Sequence, residues 1–368
     1  MNRIIDFLKK EIVLSVSFVL ALISMFFVPP SEKYFDYIDF RTLGLLFSLM
    51  TIMAGLNKMG IFRLLAKNLL NKAKTMRGVT LLLVLLCFFS SMLITNDVAL
   101  ITFVPFSVVL LKLANKQNRM IFVVTLETIA ANLGSMLTPI GNPQNLYLFS
   151  AYNMSISDFF YTIAPYAMLS LGLLVIFSLF SDKSELANLG DREEVIFDKR
   201  LLTMYAVLFA IALLSVFRVL NYIVLLAVVI VFVLIFDRKV LLKVDYSLLF
   251  TFVFLFIFIG NLGNIAQINS WLSEIVGGNE VVVGVLASQV FSNVPAAILL
   301  SGFTCNAAAL MIGVNIGGLG TLIASMASLI SFKFIQKESV SIAKYLGVFT
   351  LLNVVFLAAN LALWVVVK

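Results

Sequence analysis

The stretch ANLGSMLTPIGNPQNL, Ala131–Leu146, places three asparagines, a glutamine, two glycines and two prolines inside a chain that is 62% hydrophobic. Apolar segments flank it on both sides, so helix-breaking and hydrogen-bonding residues stand where a continuous apolar helix would otherwise run. Backbone that unwinds in lipid leaves N–H and C=O groups unpaired at several kcal/mol each. It is tolerated only when buried in protein or lining a cavity. How this stretch is accommodated therefore decides the fold.

Composition points to the membrane. The 368 residues are 12% charged and contain no histidine, and the mean hydropathy is +1.09; soluble domains carry about 25% charged residues. Ile12–Val28, Val79–Ile94, Leu201–Phe217 and Tyr222–Phe236 are long enough for spans or re-entrant segments. The net charge of +7 falls in short connections, where topology explains it and nucleic acid is not implied. Cys87 and Cys305 lie in apolar runs without CxxC spacing and read as packing residues. No zinc, haem or other cofactor is expected. The N-terminal 27 residues look like a signal peptide without a cleavage site and read as a retained first helix.

Candidate crossings are 11–28, 40–57, 119–152 (interrupted), 158–181, 201–217, 219–236, 246–261, 307–334 (interrupted) and 345–367. Two shorter apolar pairs remain, 78–94 with 98–111 and 281–291 with 296–304. The arms of the second fall far below the roughly 20 residues of a span and read as a re-entrant hairpin. The first is either a hairpin or two tilted spans. Segments 61–75 and 264–276 read as interfacial helices. Under this scheme Lys58, Arg63, Lys67, Lys112, Arg119, Lys199, Arg238, Lys333 and Lys337 share one side with Arg3 and Lys9. Asp36, Asp39, Asp158, Glu274 and Glu280 take the other. The positive-inside rule then gives a cell-membrane protein with a cytoplasmic N-terminus and an external C-terminus.

An internal repeat accounts for part of the opening stretch. NLGSMLTPI, Asn132–Ile140, matches NIGGLGTLI, Asn315–Ile323, at Asn, Gly, Thr and Ile; upstream, TNDVA, Thr95–Ala99, matches SNVPA, Ser292–Ala296. Two matched elements in the same order argue for a repeat. Topology makes it inverted. The first copy is 1–181, with hairpin 78–111 and broken helix 119–152. A loop and linking helix occupy 182–218. The second copy is 219–368, with hairpin 281–304 and broken helix 307–334. The expected class is an all-α polytopic membrane protein with two inverted-topology repeats, an architecture of secondary transporters.

At ITNDVALITFVPF (Ile94–Phe106), NLGSMLTPIGNPQNL, FSNVPAAILL (Phe291–Leu300) and NIGGLGTLIASMASL (Asn315–Leu329) the chain resembles the ion transporter superfamily. That group holds divalent-anion/sodium symporters, citrate–metal transporters, arsenite efflux pumps and NhaD-type antiporters. In the symporters a Ser-Asn-Thr triplet at each hairpin tip binds substrate carboxylates and helps build two sodium sites. The resemblance places these tips at Thr95, Asn96 and Asp97, and at Ser292, Asn293 and Val294. Asp97 and Val294 depart from the third-position threonine, and the first tip is closer to the Asn-Asp of the citrate–metal and arsenite-pump branches. A scaffold half, a moving half and a homodimer are also implied.

Substrate-binding candidates are thus Thr95, Asn96, Asp97, Thr138, Asn142, Ser292, Asn293 and Thr321. Candidates for binding or coupling a cation are Asn96, Asp97, Asn132, Gly134, Asn293, Asn315, Gly317 and Glu127. Asp97 leads, because an ionisable group at membrane depth points to a site before it points to a helix cap. Glu127, inside IFVVTLETIAANL, reads as a proton relay or as a partner of another buried polar group. Arg218 reads as an interfacial anchor and Trp271 as an interface residue. The partners expected are a small molecule or ion and the lipid bilayer, with Na+ or H+ as coupling ion and no metal beyond Na+. The leading function is coupled transport of a small anion or carboxylate, citrate- or dicarboxylate-like, by alternating access. Arsenite-like efflux and Na+/H+ antiport are the alternatives. A channel lacks a filter-like repeat, and an enzyme or ATPase lacks HExxH, GxSG or phosphate-loop motifs.

Overall fold

A computed structural model describes residues 11–60, 75–184 and 198–367. The chain is all-α, and seven of its described helices are long and apolar enough to cross a membrane. The helices of the first half are α1 (Ile12–Phe27), α2 (Tyr34–Tyr37), α3 (Phe40–Lys58), α4 (Met76–Ile94), α5 (Asn96–Leu113), α6 (Met120–Ser135), α7 (Pro143–Ala151) and α8 (Ile156–Leu179). There follow α9 (Lys199–Val216), α10 (Tyr222–Phe236), α11 (Tyr246–Gly263), α12 (Ala266–Val276), α13 (Glu280–Phe291), α14 (Asn293–Ser301), α15 (Ala307–Ile316), α16 (Met326–Ile335) and α17 (Ile342–Val367). The expected interfacial helix 61–75 lies outside the described residues except for Thr75. Its counterpart α12 meets α13 at a bend of 110°.

Local chemistry explains where these helices start. Asp39, Thr75, Asn142, Ser155, Asp198, Asn221, Asp245 and Asn306 each accept from a backbone amide in the first turn that follows. The helices at the paired hairpins depart from this rule. Thr95 and Ser292 precede α5 and α14 without a side-chain cap, in nearly identical left-handed backbone (φ 72, ψ 153 and φ 73, ψ 154). That region is almost exclusive to glycine and costs about 1–3 kcal/mol per residue. Its occurrence at two matched non-glycine positions marks both tips as constrained by their surroundings.

The interruptions fall where the sequence places them. α6 ends at Ser135 and α7 resumes at Pro143; α15 ends at Ile316 and α16 resumes at Met326 after the 3-10 turn Leu322–Ala324. Packing follows one pattern in the two matched sets of segments. α4 lies against α6 as α13 lies against α15, while α14 packs on α7 as α16 packs on α5. Each broken helix thus rests on its own hairpin and also on the other copy's hairpin. Glycines permit the first contact. A Cβ at Gly134 would sit 2.2 Å from the Phe88 carbonyl oxygen, and one at Gly317 would sit 2.8 Å from Ser288 Oγ. These two glycines are packing devices in this arrangement.

Around this centre, α1 packs on α11, and α3 on α9 and α10. Lys58 Nζ bonds Asp237 at 2.8 and 2.9 Å, and Tyr205 OH donates to the same carboxylate at 3.2 Å. Lys112 pairs with Glu338. Arg218 donates to the Phe149 carbonyl at 2.9 Å and lies over the Phe149 ring, so it ties the α9–α10 turn to α7. Cys87 is buried as expected, whereas Cys305 is exposed, because the segment after α14 leaves the core. Trp271 is exposed on α12.

Candidate functional site

The first hairpin tip meets the first break directly. The Asn96 amide donates to the Gly141 carbonyl at 3.1 Å, and Asn96 Nδ2 donates to Asn132 Oδ1 at 3.2 Å. Asn96 Oδ1 in turn accepts from the Asp97 amide at 3.0 Å. The bend at Thr95 is what turns Asn96 inward, toward α6, while Asp97 turns toward open space.

The two breaks are joined by side-chain amides. Asn142 Nδ2 donates to Asn315 Oδ1 at 3.2 Å, and Asn315 Nδ2 donates to Asn145 Oδ1 at 2.6 Å. Ser325 Oγ donates to Asn132 Oδ1 at 2.9 Å. Asn145 Nδ2 also donates to the Met136 and Thr138 carbonyls at 2.9 and 3.2 Å, which satisfies backbone freed by the break. All these side chains are buried. A buried amide network of this kind fixes geometry, and a missing member costs about 1–3 kcal/mol.

A cavity of about 1110 Å³ opens beside this network. Its walls include Asn57 and Lys58 of α3, Thr95, Asp97 and Thr102 of the first hairpin, Ile140, Asn142 and Pro143 at the break, and Met326 and Lys333 of α16. Lys243 and Asp245, ahead of α11, complete it. Lys58, Lys243 and Lys333 belong to the basic clusters of the sequence, and all three line this cavity. The first turns of α5, α7 and α16 all border it. Neither Thr95 nor Ser325 caps its own helix with its side chain. Buried atoms without a hydrogen-bond partner among the described residues include Asp97 Oδ1, Asn132 Nδ2, Gln144 Oε1 and Ser292 Oγ.

The candidates therefore separate by place. Thr95, Asp97 and Asn142 line the cavity, and Asn96, Asn132 and Asn315 lie immediately behind it. Thr138 donates to the Met92 carbonyl and serves the fold of the break. Ser292 and Asn293 are buried at the second tip, with Asn293 against Gly318, and neither borders the cavity. Thr321 is exposed, because the 3-10 turn that follows redirects the chain outward. Glu127 sits in α6 between both arms of the first hairpin, accepting from Ser107 Oγ at 2.5 Å and from Cys87 Sγ at 3.8 Å. It is not part of the cavity wall. Sequence reasoning did not select Ser325 or Gln289 for the site, whereas Asn145 reads from the sequence, with Asn142 and Gln144, as a donor and acceptor at the second half of the break. For Asn145 the signal available was its spacing of three from the Asn142 cap.

Chemically, the cavity offers the carboxylates of Glu11, Asp97 and Asp245, several amides and hydroxyls, and helix N-termini that include those of α5, α7 and α16, each carrying a partial positive charge of roughly half a unit. That combination suits a small polar solute together with a cation.

The family model described as "Citrate transporter" matches residues 4–309. An uncharacterized transporter of Methanocaldococcus jannaschii is 32% identical over 350 residues, covering 94% of this chain and 95% of its own. The inner membrane protein YbiR of Escherichia coli is 32% identical over 326 residues, covering 84% and 83%. The silicon efflux transporter LSI3 of Oryza sativa subsp. japonica is 33% identical over 162 residues, covering 43% and 32%. With most of its length matched by the family model and by a full-length relative, the chain belongs to the citrate transporter family, a family of membrane transporters.

Proposed function

We propose that this transporter is a secondary active carrier that couples Na+ or H+ to the movement of a small anion or carboxylate, citrate- or dicarboxylate-like, by alternating access. Both hairpins are re-entrant in this reading, and the N-terminus is cytoplasmic. One observation carries it: Asp97, whose Oδ1 is buried without a hydrogen-bond partner among the described residues, lines the same cavity as the first turns of α5, α7 and α16. The helix N-termini favour an anion there. The carboxylate alone would repel it, by about 4 kcal/mol at 4 Å in a surface-like dielectric. A cation on Asp97 reverses the sign of that interaction. Substrate affinity then depends on the cation, and this dependence is the thermodynamic content of coupling.

A second reading, efflux of an arsenite-like hydroxylated solute, draws on two facts. Thr95, Asp97 and Asn142 give the cavity wall hydroxyl, carboxyl and amide groups suited to a hydroxylated solute. Partial relatives include LSI3 and a Dictyostelium discoideum protein described as putative transporter arsB. A thermal-shift screen of the purified protein against citrate, succinate, arsenite and silicic acid, with Na+ and pH varied, separates the two. Stabilisation by a carboxylate that requires Na+ or low pH supports the first. Stabilisation by arsenite or silicic acid alone supports the second.

A further inference from the structure

The two tips are equivalent in backbone but not in chemistry. Where the first carries Asp97, the matched residue of the second is Val294. The second break differs as well. Gln289, one turn before Ser292, sends Nε2 into three backbone carbonyl oxygens: Gly317 at 2.8 Å, Leu319 at 2.9 Å and Val285 at 3.3 Å. Its Oε1 accepts from the Thr321 amide at 3.0 Å. The amide orientation follows from these partners, since nitrogen faces only acceptors and oxygen faces a donor. Gly320, at φ 111, allows the approach; a Cβ there would lie 2.4 Å from Gln289 Oε1.

Carbonyls freed by unwinding are the groups with which discontinuous helices coordinate cations. Here two of them, from Gly317 and Leu319, converge on a nitrogen that is covalently part of the protein and carries partial positive charge. We infer that Gln289 permanently fills the cation position of the second repeat, so that each transport cycle uses a single cation, bound at the Asp97 tip. This rests on the coupled-transport reading above and departs from the two sodium sites that the superfamily resemblance implies. Three independent features agree. The carbonyl cage is occupied, the tip carboxylate is replaced by valine, and the cavity does not reach Ser292 or Asn293. The first break also closes the Met136 and Thr138 carbonyls, through Asn145, but its tip keeps an ionisable ligand.

The test is cation binding to the purified full-length protein, with Na+ titrated against choline at fixed ionic strength and pH varied at zero Na+. Thermal stability and calorimetry are the readouts. The wild type is expected to bind one cation with a Hill coefficient of about 1, and Gln289→Ala to gain a second cation-dependent step as its cage opens. A folded Gln289→Ala that still binds one cation overturns the inference, as does a wild-type stoichiometry of two. If Gln289→Ala does not fold, the wild-type stoichiometry decides alone. No response of the wild type to either cation is a different failure: it contradicts the coupled-transport reading itself, and the inference falls with it.

Discussion

Single residues at the centre of the molecule do different work despite similar membrane depth. Asp97 and Glu127 are both carboxylates in apolar helices, yet only Asp97 borders the cavity. Glu127 is enclosed by Ser107 and Cys87. Glu127→Gln keeps an oxygen for the Ser107 hydroxyl, and we expect it to fold and transport within about twofold of wild type. Glu127→Ala leaves that hydroxyl without its partner and should lose about 1–3 kcal/mol in thermal unfolding. A selective loss of cation dependence in Glu127→Gln would instead make it a coupling residue. Gly134 gives a cleaner steric case. Gly134→Ala drives a methyl into the Phe88 carbonyl, and the overpacking should destabilise by about 1–3 kcal/mol, read as a lower melting temperature.

At the scale of elements, the hairpins and broken helices were legible because their function needs unusual residues in apolar surroundings. TNDVA and SNVPA stand at tips with matching backbone, and Asn132 and Asn315 both end the first half of a broken helix. What the letters could not give was partnership. Thr138 and Thr321 match in sequence, but the first bonds into its hairpin and the second is exposed, because a glycine-rich break bends differently from a proline-bounded one. Gln289 escaped notice for a similar reason: a lone amide on an apolar arm declares nothing until the carbonyls it caps are in view. Ser325 and Asn145 act across the repeat boundary, where local patterns carry no information. The elements also predict an asymmetry of access. A single cysteine at 95 should react with a membrane-impermeant maleimide from the side of Lys333, while one at 292, buried in this state, should not. Equal reactivity at both positions in every condition contradicts the assignment of the cavity to the first tip.

For the whole molecule, the cavity wall carries Lys58, Lys243 and Lys333 beside Glu11, Asp97 and Asp245. Each lysine in a low-dielectric cleft raises the local concentration of anions and loses this effect as salt screens it. Lys243→Gln and Lys333→Gln should therefore raise KM for an anionic substrate about two- to tenfold at low ionic strength and little at high salt. They should leave a neutral solute unaffected. Lys58 is a different case, since its loss leaves the buried Asp237 with the Tyr205 hydroxyl but without its cation; Lys58→Ala should cost about 1–3 kcal/mol of stability.

The central claim is that Asp97 binds the cation that makes substrate binding and movement possible. Uptake of labelled citrate and succinate into proteoliposomes, driven by an imposed Na+ or H+ gradient, tests it most directly when wild type and Asp97→Asn are compared. The account predicts gradient-driven accumulation in the wild type. It predicts that folded Asp97→Asn loses accumulation and responds to neither gradient. Accumulation by Asp97→Asn with undiminished dependence on the same cation would contradict it.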